Sequence, residues 1–311
     1  MADTDTAVSA TSNAHARARA NSRAYLIFFS ALAGVIVAML WSARLVDDDI
    51  GVNAANGMLG HNSLTTGINS SVAGIFFAFT AGLAGTFTAC NVAAFSAIAP
   101  LMEDSPSVGT RARLALRPVG WLSLGAGVVA GVYGAIGAAV GTRIPQLSVA
   151  TIGNTPVRTL QSVVVFSVIG LMFMYLGLAA AGAVPDPMAR LTGRWRYTPQ
   201  VVMGALIGGF LIGRPYPLFF KMFKYAASTH NPLYGAGALI LVVIGNIVLM
   251  AVLFLLLAIS RLSQWLAAKP GREVRFTAAA LLIGGTFTLA YWGIRVPAHL
   301  GYGWFPSMPW H

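Results

Sequence analysis

One cysteine, Cys90, is the residue of this chain best suited to covalent chemistry. A thiolate exchanges with disulfides and binds soft metals. A neutral cysteine is also a small apolar side chain that packs well. All three roles are open to Cys90 from its type alone, and thiol exchange makes it the candidate catalytic residue. It sits in AGLAGTFTACNVAAFSAIAP, residues 81–100, where Thr86, Thr88 and Asn91 add polar groups. A second cluster lies in GRPYPLFFKMFKYAAS, residues 213–228. There Pro215, Tyr216 and Pro217 are the candidates to line a central cavity together with Thr86, Thr88 and Asn91. Arg214, Lys221 and Lys224 form a candidate cationic vestibule, which would favour an anion or a carboxylate. Lys221 and Lys224 are three apart and share a face if helical. The bland alternative is that these cations snorkel to lipid headgroups.

Other chemistries lack their residues. One cysteine builds no internal disulfide and no cysteine-rich zinc or iron–sulfur site. The five histidines show no metal-ligand spacing, and there is no phosphate-binding glycine loop. Neither a metal nor a cofactor is expected.

The elements that must position these groups are membrane helices. The chain has 311 residues, of which 57% are hydrophobic and only 9% charged. Soluble domains carry about 25% charged residues, so an ordinary soluble fold is excluded. The net charge of +11 has a simpler source than nucleic-acid binding, because loops of membrane proteins collect Lys and Arg on one side. Seven apolar segments are predicted, roughly 24–43, 72–99, 118–140, 161–184, 199–226, 234–260 and 276–294. The expected fold is an all-α polytopic helical bundle. Residues 1–23 read as a disordered cytoplasmic tail, 24–43 as an accessory transmembrane helix, 72–294 as a six-span core, and 295–311 as an outer tail.

The charges sort by loop. Arg17, Arg19, Arg23, Arg111, Arg113, Arg117, Arg190, Arg194, Arg196, Arg261, Lys269, Arg272 and Arg275 fall on one side of such a bundle. Only Arg44, Arg143, Arg158 and Arg295 fall on the other. The bias places the N-terminus in the cytoplasm and the C-terminus outside a cell membrane. Asp47, Asp48 and Asp49 then belong to an outer loop. No Asp or Glu lies in a clear span interior, which argues against ion coupling through an embedded acid. Trp41, Trp121, Trp195, Trp265 and Trp292 lie near span ends, where indoles suit the headgroup region.

Two of the segments are irregular. Pro215 and Pro217 must kink or unwind the fifth, since proline lacks an N–H and clashes with the preceding turn. Gly82, Gly85 and the polar residues after them mark the second. Three spans from 72 to 184 and three from 199 to 294 make two halves, each opening on an irregular helix. Three spans per half also means that the halves enter from opposite sides, the arithmetic of a 3+3 inverted repeat. In transporters, broken helices at matching positions mark a central site.

Three stretches carry a family resemblance. They are GLAGTFTACNVAAFSAIAPL, with cysteine in the opening helix and Pro100 after it; RARLALRPVGWLSLGAGVVAGVYGAIGA, residues 111–138; and FLIGRPYPLFFKMFKYAASTHNPLYGAGALILVVIGN. Over residues 72–294 the chain resembles the DsbD/CcdA family, the transmembrane thiol–disulfide relays of cytochrome c biogenesis. The resemblance implies passage of reducing equivalents from a cytoplasmic thioredoxin-like protein to an outer thiol protein, through one cysteine in each half. Cys90 stands at the first position. Where the second half should present its cysteine, GRPYP has Tyr216, and a phenol does not exchange with disulfides. An internal two-cysteine relay is therefore lost. Three expectations follow: a mixed disulfide between Cys90 and a thioredoxin-like partner in the inner membrane; a non-redox transporter of a small, anionic solute; or a structural subunit of a membrane complex. Lipid is the partner in all three, and nucleic acid in none.

Overall fold

The architecture is that of a computed structural model, which describes residues 3–85, 108–153, 155–259 and 271–307. The helices are α1 (Asp3–Leu40), α2 (Asn53–Leu59), α3 (Ser71–Ala84), α4 (Val108–Val140), α5 (Val157–Ala180), α6 (Ala189–Arg194), α7 (Thr198–Gly209), α8 (Pro217–Ser228), α9 (Pro232–Ile259), α10 (Arg272–Thr288) and α11 (Val296–His299). Two π-helical stretches, Arg44–Val52 and Leu289–Arg295, and a short 3₁₀ turn, Phe210–Gly213, matter for the site. A two-residue hairpin, β1 (Thr151–Ile152) against β2 (Thr155–Pro156), is antiparallel. The chain is all-α apart from that hairpin. Where a tail is expected, α1 extends back to Asp3. The extension is rich in Ala and Arg, both strong helix formers.

Among the described residues, five helices are long and apolar enough to cross a membrane: Asn21–Leu40, Leu116–Arg143, Val157–Ala180, Pro232–Val252 and Val274–His299. The fifth expected segment is two helices, Thr198–Gly213 and Pro217–Ser228, bent by 82°. The second is described only through Gly85. Apolar side chains face outward in helical stripes, as in Leu124, Val128, Val132, Ile136 and Val140 of α4. Such stripes are a penalty in water and a requirement in lipid. The chain is a multi-pass membrane protein.

Small residues set the packing. Without a hydrophobic drive between helices in lipid, close backbone approach is what gives contact. Gly82 of α3 is pressed against α9: a Cβ there would lie 2.1 Å from the Val242 carbonyl oxygen. Gly204 of α7 is pressed against α4, its Cβ position 2.0 Å from the Leu122 carbonyl oxygen. Gly245 meets the Phe79 carbonyl, and Gly125 meets that of Val201. On the third pair, Gly170 of α5 and Gly285 of α10 approach each other's carbonyl oxygens.

The loops gather at two ends of the bundle. At one end the Arg23 guanidinium donates to the Gly182 carbonyl at 3.2 Å, and Arg117 lies over the Tyr197 ring. Trp121 packs against Trp195 and Tyr197 there. At the other end His230 sits against Gly141, and the Thr155 hydroxyl donates to the Tyr302 oxygen. The Lys221 ammonium donates to the carbonyls of Ser63, Leu64 and Thr66. Of the arginines sorted to one side in the sequence, Arg23 and Arg117 stand at the first of these ends.

Candidate functional site

Breaking a helix inside a membrane frees carbonyls that lipid does not satisfy. Here the carbonyls of Leu211, Ile212, Gly213 and Arg214 are met by side chains. After α7 the chain passes through the 3₁₀ turn Phe210–Gly213 and the extended residues Arg214 to Tyr216 before Pro217 opens α8. Gln146 donates from its amide to the carbonyls of Leu211 and Arg214 at 3.3 and 3.0 Å. Gln161 donates to the Ile212 carbonyl at 2.5 Å, and the Ser162 hydroxyl to that of Gly213 at 2.5 Å. The Tyr133 hydroxyl joins Gln146 and also reaches the Ile212 carbonyl. Four side chains from α4, α5 and the turn between them hold the break open. It is a built feature rather than a lapse of the helix.

The break delivers Arg214 and Tyr216 to the interior. Arg214 is 7% exposed and Tyr216 is 2% exposed. One Arg214 nitrogen, Nη2, donates to the Gly85 carbonyl at 2.6 Å, where α3 ends, a favourable place for a cation. A Cβ at Gly85 would lie 2.0 Å from that nitrogen, so a larger residue there would push the guanidinium aside. The guanidinium also stands 5.2 Å from the centre of the Tyr216 ring. Arg214 Nε and the Tyr216 hydroxyl are both buried with no hydrogen-bond partner. Orphaned buried donors of this kind are uncommon and point to something that binds there.

What they adjoin is a cavity of about 100 Å³. Arg214, Pro215 and Tyr216 line one side; Thr288, Tyr291 and Trp292 of the last membrane helix line another; Trp41 and Asp47 cover it. Phe166, Phe210 and Phe287 complete apolar walls, with Trp292 stacked on Phe166 at 4.5 Å. The Thr288 hydroxyl is turned to the Gly284 carbonyl at 2.7 Å, while Asp47, Arg214, Tyr216 and Tyr291 bring polar groups to the lining. No side chain caps the N-terminus of α8, whose N-cap is Tyr216 itself. Its helix dipole adds positive potential on the same side as Arg214. A larger hollow, about 390 Å³, lies between α1 and α10, lined by Ser22, Tyr25, Ser30 and Arg275 beside apolar side chains.

Asp47 is the unexpected member. It comes from the π-helical stretch Arg44–Val52, which folds back over the bundle after α1. Burial raises its carboxyl to about 6, the Arg214 charge pulls it down, and Asp48 pushes it up. Desolvation wins over the favourable cation, so the site holds a carboxyl that titrates near neutrality. The sequence places no acid within a span, and the structure agrees; the acid reaches the cavity from a connecting segment.

The sequence candidates separate. Arg214, Pro215 and Tyr216 come together at the cavity. Pro217 does not line it and serves as the first residue of α8. Lys221 is drawn away by the three carbonyls of residues 63–66, and Lys224 is exposed. The vestibule of three cations is thus one cavity arginine, one loop clamp and one surface lysine. Cys90, Thr86, Thr88 and Asn91 lie outside the described residues. Trp41 and Trp292, read as interfacial indoles, both line the cavity. Sequence reasoning missed Gln146, Gln161 and Ser162. The signal for them was present, since amides and hydroxyls at the ends of apolar spans need partners.

No family model matches the chain, and no curated protein or solved structure matches it either. Among the described residues, no group of three His, Cys, Asp or Glu side chains could hold a metal ion.

Proposed function

We propose that this chain is a cell-membrane transporter of a small anion, which binds beside the break between α7 and α8. The observation that carries the reading is the buried Arg214 guanidinium, with an unpartnered Nε, on a cavity walled by aromatic rings. A buried cation that keeps an unpartnered donor is costly, and in membrane proteins buried cations mark ligand paths. At about 100 Å³, the cavity suits a small solute.

The accompanying architecture is a 3+3 inverted repeat preceded by one extra helix, seven spans in all. The glycine seams support it. Gly82 meets Val242, and Gly204 meets Leu122; Gly245 meets Phe79, and Gly125 meets Val201. Residues 79 and 82 correspond to 201 and 204, a constant separation of 122, while 122 and 125 correspond to 242 and 245, a constant separation of 120. Exchange of the halves therefore maps one seam onto the other, and maps the Gly170–Gly285 contact onto itself. The arginine-rich end, with Arg23 and Arg117, is the cytoplasmic one under the positive-inside rule.

The test is anion flux in liposomes carrying the full chain, with nitrate and formate as probes. Wild-type protein should speed flux over empty liposomes. Arg214→Gln should reduce it at least tenfold, and Arg214→Lys should retain part of it. Equal flux for wild type and Arg214→Gln would overturn the reading.

A second reading is thiol exchange, in which Cys90 forms a mixed disulfide with a thioredoxin-like protein. It rests on the resemblance to the DsbD/CcdA relays. Carrying the separation of 122 along the sequence sets Cys90 against Ile212, so neither Ile212 nor Tyr216 supplies a second thiol. Acid-quenched alkylation in native membranes decides it: a reductant-sensitive adduct that disappears in Cys90→Ala supports exchange. A free Cys90 under both oxidising and reducing growth excludes it. A role as a structural subunit of a membrane complex would show as stable copurification with other subunits and no flux.

A further inference from the structure

We infer that Asp47 couples anion binding at Arg214 to the uptake of one proton, so that the cavity takes a small planar monoanion together with H⁺. The inference rests on the anion-site reading above and adds the coupling ion to it. Asp47 and Arg214 line the same cavity, which is too small to keep their charges apart by solvent. With Asp47 ionised, the two groups sum to zero, and the carboxylate occupies electrostatically the place an anion would take. With Asp47 protonated, the cavity carries the Arg214 charge alone. A planar guanidinium with an unused N–H suits a planar oxyanion such as nitrate or formate.

The groups around Asp47 favour this switch. On its own segment stand Arg44, Asp48 and Asp49; from the break come Arg214 and Tyr216; from the last membrane helix come Tyr291 and Arg295. Arg295 is committed elsewhere, donating to the carbonyls of Ala38 and Trp41 at 2.6 and 2.8 Å. Arg214 is thus the described cation that shares the cavity with Asp47, and a bound anion there must raise the affinity of Asp47 for its proton. Burial holds the Asp47 carboxyl up at about 6, so both charge states are within reach near neutral pH. No covalent step is involved: the proton comes from solvent, resides on the carboxyl, and leaves with the anion.

The experiment is nitrate and formate binding to the full chain in nanodiscs by calorimetry, from pH 5 to pH 8. Titrations in two buffers of different ionisation enthalpy count the protons. For wild type, the dissociation constant should rise toward tenfold per pH unit above 6, about 100-fold in total by pH 8. Close to one proton should be taken up per anion at pH 7.5. Asp47→Asn should bind with the low-pH affinity throughout and take up none. Wild-type binding that is flat in pH, with no proton uptake, would overturn the coupling while leaving the anion site standing. Absence of binding at every pH would overturn both. Proton counting on wild type needs no variant, so misfolding of Asp47→Asn does not blunt the test.

Discussion

The two glycine seams give a quantitative test of the architecture. In Gly204→Ala the new Cβ would sit 2.0 Å from the Leu122 carbonyl oxygen, and in Gly82→Ala 2.1 Å from that of Val242. Real contacts of this kind stay beyond about 3 Å, so each helix pair must part by roughly 1 Å. Backbone stands on both sides, and no side-chain rotation relieves the clash. Overpacking costs about 1–3 kcal/mol, and these cases belong at the upper end. For a chain of this size, about 3 kcal/mol lowers the midpoint by roughly 5 °C. Gly127→Ala and Gly237→Ala are the controls. Neither would meet anything within 4 Å, and each gains up to about 1 kcal/mol of helix propensity. Thermal unfolding in detergent, followed by intrinsic fluorescence, should show the two seam variants losing stability by similar amounts while the controls hold or gain. Because the seams share no residues, the double seam variant should lose the sum. A seam variant as stable as the controls would refute the close approach. Unequal losses would refute the exchange of halves.

Two further outcomes follow from side chains that clamp carbonyls. Lys221→Met removes the ammonium that gathers Ser63, Leu64 and Thr66, so residues 60–70 should exchange amide hydrogens faster by tenfold or more, with anion flux retained. Arg295→Met strips the donors from the Ala38 and Trp41 carbonyls, at a cost of about 1–3 kcal/mol for each group left bare, and should lower the thermal midpoint more than Arg214→Gln does.

Much of the frame was legible in the residues. Long apolar runs with few charges specify membrane helices, because that signal is local and additive. The interruption at Gly213 to Pro217 was legible for the same reason: proline acts on its own turn. Its geometry was not. An 82° bend depends on who satisfies the freed carbonyls, and those partners, Gln146, Gln161 and Ser162, lie 51 to 68 residues away in sequence. The cationic cluster failed similarly. Arg214, Lys221 and Lys224 share a stretch of sequence, but the bend sends the first inward while a loop from residues 63–66 captures the second.

Asp47 shows what a span-by-span reading of charge overlooks. Three acids in a row, in a segment between hydrophobic runs, read as a solvated loop, and Asp48 and Asp49 are indeed exposed. The π-helical stretch turns Asp47 alone toward the cavity, because a wider helix sets successive side chains at a different angle from an α-helix. The absence of acids from the spans therefore says nothing against proton coupling here, for the acid enters from the end of the bundle. Arg214 and Arg295 sharpen the point. Both are buried arginines that meet carbonyls at helix ends, 7% and 3% exposed. Arg295 spends one nitrogen on two carbonyls and behaves as a pin. Arg214 holds one carbonyl and keeps a buried Nε without a partner, on the one side of the bundle where a titrating carboxyl stands near it. Residue type does not separate the two; the unused donor and its neighbour do.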